Sequence, residues 1–140
     1  MLGVGFVFEY NNLAGGVIPF AFLKQTKKII KKFHLVTGFS LQELSLVFVS
    51  RPVMRQLNTR HRHQNKVTDI LSFTYQVEPI VGELIVCLDQ AIIQAKRRQH
   101  SLAKELSILF GHGLLHLAGY DHLVVSERKI MRDLEKRILF

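Results

Sequence analysis

Thiols are nearly absent from this chain, since Cys87 is its one cysteine. Neither a disulfide framework nor a thiolate zinc cluster can form within it. Cys87 sits in the apolar run Leu84-Ile-Val-Cys-Leu88 and reads as a small packed hydrophobe. Long uncharged runs are missing too. No stretch approaches the roughly eighteen apolar residues of a membrane span, and the longest candidate, after Glu105, carries histidines. The opening Met1-Leu-Gly-Val-Gly-Phe-Val-Phe-Glu9 has no basic leader and is broken by an acid. It reads as a strand and not a secretory signal, so the expected location is cytoplasmic, with no membrane partner. Acids are the scarcer charge: 11 Asp and Glu stand against 19 Lys and Arg, a net +8 with neutral histidines. That excess favours polyanionic partners but says nothing of fold or catalysis. No internal repeat, low-complexity stretch or linker interrupts the sequence.

What is present suits one globular domain over residues 1–140, 48% hydrophobic and 21% charged, long enough to bury a core. Val4, Phe6, Phe8 and Tyr10 alternate as a first strand. Gly15-Gly16 breaks the chain, and Pro19 fits the first turn of a helix. Phe22, Thr26, Ile29, Ile30 and Phe33 keep helical spacing down one face of that helix, Lys24, Lys27, Lys28, Lys31 and Lys32 cover the rest, and Gly38 ends it. Leu44 to Ser50 reads as a second strand. Pro52 starts a short helix to about Arg60, with Val53, Met54 and Leu57 inward. Asp69 to Tyr75 and Glu83 to Leu88 read as two further strands, separated by a loop that Glu78-Pro79 and Gly82 mark. Then the pattern turns helical. A helix runs from Asp89 to about Gln99 with Ile92, Ile93 and Ala95 inward. A second, capped by Ser101, extends to Gly119. A last one is capped by Ser126, with Ile130, Met131, Leu134 and Ile138 repeating at three and four. The expected fold class is α+β: a small mixed four-stranded sheet covered by about five helices, with the histidine helix central.

Three of the seven histidines fall within His112-Gly-Leu-Leu-His116-Leu-Ala-Gly119-Tyr-Asp-His122. His112 and His116, four residues apart, share a helix face about 6 Å apart in rise. Gly119 suits the left-handed turn that ends a helix and would swing His122 back toward the same point. The surrounding leucines imply burial, and converging buried imidazoles need something electron-poor between them. Three imidazoles with an open fourth position describe a catalytic zinc, whereas structural zinc sites close with four protein ligands. The spacing also matches the long zinc signature of metzincin proteases. Those enzymes carry a glutamate general base after the first histidine; here that residue is Gly113, which moves no protons. Gly111 and Gly113 each cost a helix about 1 kcal/mol relative to alanine. Two explanations stand at Gly113: close packing of the helix on the sheet, or room beside the metal for a bulky substrate group.

The run from His112 to His122 resembles the signature of the bacterial YbeY family of ribosomal RNA maturation factors. Leu57-Asn58, Arg62 and Thr68-Asp69-Ile-Leu-Ser-Phe73 resemble that family's second motif, an arginine ahead of a Thr-Asp-Val-Leu-Ser-Phe strand. Gly82-Glu-Leu-Ile85 and Glu105-Leu106 resemble two more. The likeness covers roughly residues 57 to 122. The segment His63-Gln-Asn-Lys-Val67 lacks the usual Gly and Pro, Gly111 replaces an aliphatic residue, and Glu83 replaces Asp; none of these removes a ligand.

The resemblance implies a metal-dependent, single-strand-specific endoribonuclease associated with small-subunit ribosomal RNA 3′-end processing and ribosome quality control. It implies one zinc ion held by His112, His116 and His122, with Arg62 as a basic group in the cleft. His116 and Arg62 are the candidate catalytic residues, and single-stranded or ribosomal RNA and the ribosome the expected partners. Zinc on three histidines lowers the pKa of water and polarises a phosphoryl oxygen, and Arg62 would grip another oxygen through its planar fork. On its own residues, Arg62 is equally a surface arginine beside Arg60. Asp121 either orients a site histidine or stabilises its turn, and His61 and His63 read as exposed loop residues. Arg60, Arg62, Lys66 and the lysine face of residues 24 to 32 are candidates to track phosphates. Two other readings stay open: a ribosome-associated RNA-binding assembly factor with a mainly structural metal, and a metalloprotease, which Gly113 disfavours.

Overall fold

The computed structural model describes residues 6–121 and 125–140. The chain runs β1 (Val7–Asn12), α1 (Phe20–Thr37), β2 (Leu41–Val49), α2 (Arg51–Arg62), β3 (Ile70–Val77), β4 (Ile80–Cys87), α3 (Leu88–Arg97), α4 (Leu102–Leu117) and α5 (Val125–Leu139). The four strands form one mixed sheet in the order β1-β2-β4-β3. β1 and β4 flank β2 in parallel, and β3 pairs antiparallel with β4. The α+β expectation, with a four-stranded mixed sheet and five helices, holds.

Side-chain alternation at period two divides the sheet into two faces. Leu44, Leu46 and Phe48 of β2 and Ile80, Leu84 and Val86 of β4 enter the main core with residues of α1, α3, α4 and α5. The opposite face, carrying Val49, Leu71, Ile85 and Cys87, is covered by Met54 of α2. Cys87 is fully buried, and burial pushes its thiol pKa up, in keeping with a packed hydrophobe. α1 buries the five residues expected from spacing, and Gly38 closes it at φ 79°, its N–H on the His34 carbonyl.

Several local expectations shift. Pro19 is the residue before α1 and not its first turn. Val53 is exposed, and Asn58 joins Met54 on the buried face of α2. Gly82 lies inside β4 and not in the loop: a Cβ there would meet Leu117 Cδ1 at 2.8 Å, so its bareness lets α4 approach the sheet. On α3, Leu88, Ala91 and Ala95 are the buried residues, while Ile92 and Ile93 are half-buried. Ser126 lies within α5 and not before it, and Ile130 is exposed while Met131, Leu134 and Ile138 are buried. Val4 and His122 lie outside the described residues.

α4 is central because it is apolar almost all round, and such a helix is stable only when enclosed. Leu106, Leu109, Phe110, Leu114, Leu115 and Leu117 are buried between the sheet, α1 and α5. Ser101 caps its start by accepting from the Lys104 N–H at 3.1 Å. Its end is a Schellman turn: Gly119, at φ 95°, donates to the His116 carbonyl at 3.0 Å, and Tyr120 donates to Leu115 at 3.0 Å.

Candidate active site

α4 brings His112 and His116 together as their spacing predicts. Their Nε2 atoms are 3.0 Å apart and their ring centroids 4.6 Å. The other nitrogen of His112 is occupied: Nδ1 donates to Glu135 Oε1 of α5 at 2.6 Å. A carboxylate can only accept, so this contact fixes the tautomer and turns the Nε2 lone pair of a neutral His112 toward His116.

The residues present fit a divalent cation. Two imidazole nitrogens bonded to one tetrahedral ion at about 2.0–2.1 Å lie about 3.3 Å from one another, close to the observed separation. A carboxylate behind a ligating imidazole is also the usual companion of such ions. Among the described residues, no group of three or more His, Cys, Asp or Glu side chains assembles that could hold an ion. The third expected ligand, His122, is outside them.

The pair opens into a cleft of about 520 Å³. Its walls come from the end of α2 (Asn58, Arg62), the loop after it (Gln64, Lys66, Thr68, Asp69) and the start of β3 (Ile70, Leu71, Ser72). Arg62 therefore faces the same space as the two histidines, although fifty residues separate it from His112 in sequence. Buried Asn58 ties this wall together, its Nδ2 donating to the Lys66 carbonyl at 3.0 Å. Asp69 is held from two sides: Oδ1 accepts from the Ile70 N–H at 2.8 Å and Oδ2 from Gln94 Nε2 at 3.3 Å. Gln94 also donates to Glu105 Oε2 at 3.0 Å. Glu105 is fully buried and further bound by Arg98 Nη1 at 2.9 Å and His100 Nε2 at 2.6 Å. A polar chain thus links the cleft wall to the base of α4.

Other candidates fall elsewhere. Lys66 lines the cleft with Arg62, but Arg60 and the lysines of α1 are not among its described lining residues. His61 belongs to α2 and not a loop, and its ring packs against Phe73 at 5.1 Å. His63 is exposed and caps α2 at φ 57°. Asp121 is half-buried beyond the Gly119 turn, and Glu135 is a carboxylate that meets His112. Sequence reasoning missed Glu135 and Gln94. Neither has a local signal, because each contact joins separate elements: Glu135 reaches His112 from α5, and Gln94 reaches Asp69 and Glu105 from α3.

Gly113 is explained by packing. A Cβ there would meet Leu84 Cδ2 at 2.8 Å and Ile70 Cδ1 at 2.9 Å, so the bare position faces the sheet and leaves no room for substrate. Gly111 faces α5, where a Cβ would meet Leu139 Cδ2 at 3.1 Å.

A mixed sheet crossed by a buried helix, with paired histidines at a cleft that an arginine shares, defines a class of small α+β proteins built around a histidine-bearing helix. A family model described as Endoribonuclease YbeY matches residues 10–140, and the chain belongs to that family. The Endoribonuclease YbeY of Ureaplasma urealyticum serovar 10 is 41% identical over 96 residues, 66% of this chain and 62% of that protein. The one from Thermodesulfovibrio yellowstonii is 39% identical over 129 residues, 88% of this chain and 80% of that protein. The chain thus spans less than two thirds of the length of the Ureaplasma relative it matches. The solution structure of TM1509 from Thermotoga maritima superposes with a TM-score of 0.67 at 27% identity, covering 94% of this chain and 87% of that one. No helix among the described residues is long and apolar enough to cross a membrane.

Proposed function

We propose that this protein is a metal-dependent endoribonuclease that cuts single-stranded RNA and acts on ribosomal RNA during maturation and quality control of the small subunit. The observation that carries the reading is the histidine pair, Nε2 to Nε2 at 3.0 Å, opening on a cleft that also holds Arg62 and Lys66. Family membership supports the class of reaction, since the curated relatives are named as endoribonucleases.

His112 and His116, with His122 as third ligand, would hold zinc. When bound, the ion supplies Lewis acidity toward a phosphoryl oxygen and toward water. The chain's own residues do the rest. Glu135 keeps the His112 ring in one tautomer and orientation. Arg62 presents a planar donor fork to a phosphate oxygen, with Lys66 as a second cation. Thr68 and Ser72 add hydroxyls to the wall, within a cleft that removes part of the strand from water. A cleft of about 520 Å³ has room for a nucleotide or two, which supports a single strand as the substrate. The ribosome is the expected partner, in the cytoplasm.

A ribosome-bound assembly factor with a mainly structural metal is the competing reading; peptide hydrolysis has no glutamate base at Gly113. Purified untagged protein should contain about one equivalent of zinc by elemental analysis. It should also cleave a single-stranded RNA and spare the duplex. His116→Ala should lose cleavage while keeping its far-ultraviolet dichroism. Zinc-loaded protein that binds RNA and never cuts it refutes the nuclease and leaves the assembly factor.

A further inference from the structure

On the other side of His112 lies a second cleft, of about 500 Å³. Asp69 and His112 line both clefts, so the two meet at these residues, with His116 on the side of the first. The floor is apolar, made by Ile108 and Leu109 of α4 with Val125 and Met131 of α5. The rim is basic. Arg128 and Arg132, four residues apart, share one face of α5, and Arg98 stands opposite.

These cations differ in status. Arg98 is committed to buried Glu105, so it acts as wall more than as a charge for a ligand. Arg128 and Arg132 are exposed, and neither forms an ion pair with a partner among the described residues. The two carboxylates of the cleft already have partners: Glu135 on His112, Asp69 on Ile70 and Gln94. Among the described residues, the positive charge left to face a ligand is therefore that of Arg128 and Arg132, above the aliphatic floor. An apolar floor with two planar donor forks above it can take a nucleotide, the face of its base buried against aliphatic side chains and its phosphate on the arginines.

We infer that this cleft is a nucleotide subsite. A single RNA strand lies across the histidine pair, with one side held by Arg62 and Lys66 and the flanking nucleotide held by Arg128 and Arg132. The inference deepens the proposed nuclease function and rests on it for the identity of the strand.

The test uses the zinc-loaded full chain and fluorescent 2′-O-methyl oligouridylates of increasing length, read by anisotropy, alongside cleavage of an unmodified RNA. Arg128→Gln with Arg132→Gln should weaken binding about tenfold or more. The salt dependence, plotted as log Kd against log salt, should flatten by about 0.7 for each phosphate that the variant no longer neutralises. Lys at both positions should restore part of the affinity. Lys136→Gln with Arg137→Gln removes the same charge elsewhere on α5 and should stay within about twofold. The effect should reach only oligonucleotides long enough to span both clefts.

Each outcome decides something. If the variant matches wild type in affinity and salt slope while wild type cleaves, the subsite is overturned and the nuclease stands. An equal loss in the Lys136 and Arg137 control reduces the effect to net charge and also overturns the subsite. Arginine-dependent binding without any cleavage overturns the nuclease alone. Wild-type protein that neither binds nor cleaves overturns both.

Discussion

Gly113→Ala separates the two explanations for a glycine beside a site histidine. Two effects oppose each other. Alanine improves an interior helical position by about 1 kcal/mol. Against that, the new methyl would stand 2.8 Å and 3.1 Å from the two methyls of Leu84 and 2.9 Å from Ile70 Cδ1. Leu84 is fully buried, so its side chain has little space to retreat into. Overpacking of this kind costs about 1–3 kcal/mol. The net expectation is destabilisation by about 1 kcal/mol, read as a lower urea midpoint at unchanged slope.

The physical cause is checked with a second change. Leu84→Val shortens the side chain in the way and by itself costs about 1 kcal/mol. Combined with Gly113→Ala it should cost about 1 kcal/mol less than the sum of the single changes, because the two side chains compete for one volume. The same shift moves His112 and His116 relative to Arg62, so the alanine variant should lose cleavage rate and the double variant should recover part of it. Gly113→Ala more stable than wild type, or strict additivity with Leu84→Val, would falsify the packing account and return the glycine to a role in access.

Two further outcomes follow from the polar contacts. Glu135→Gln keeps the shape beside His112 but weakens the acceptor that fixes its tautomer, and zinc affinity by chelator competition should fall about 10–100-fold; unchanged affinity would show that Glu135 only joins α5 to α4. Glu105→Ala strands His100 and leaves Gln94 with Asp69 alone, while half-exposed Arg98 returns to water. It should destabilise the fold by about 2–4 kcal/mol in urea unfolding, and a loss under about 0.5 kcal/mol would mean the buried network contributes little.

Much of this protein was legible along the chain because the deciding interactions are local. The face of α1 from Phe22 to Phe33, the caps at Gly38 and Ser101, the turn at Gly119 and the approach of His112 to His116 all follow from helical periodicity and backbone conformation. These act over a few residues, which is the range that spacing reports. Some boundaries misread for the same reason. Gly82 looks like a loop marker until Leu117, from a helix 35 positions later, is seen against it. Ile130 keeps the repeat of a core residue, yet its side chain stays exposed on α5.

What only the tertiary structure decided is which distant groups share a space. The sequence by itself specified a histidine helix, a basic surplus and an α+β order of elements. It could not say that α5 would deliver Glu135 to His112, that Asn58 and Lys66 would shape one wall, or that Gly113 would press on Leu84. Those contacts arise from how layers pack, and packing depends on the summed shape of many side chains rather than on any one spacing.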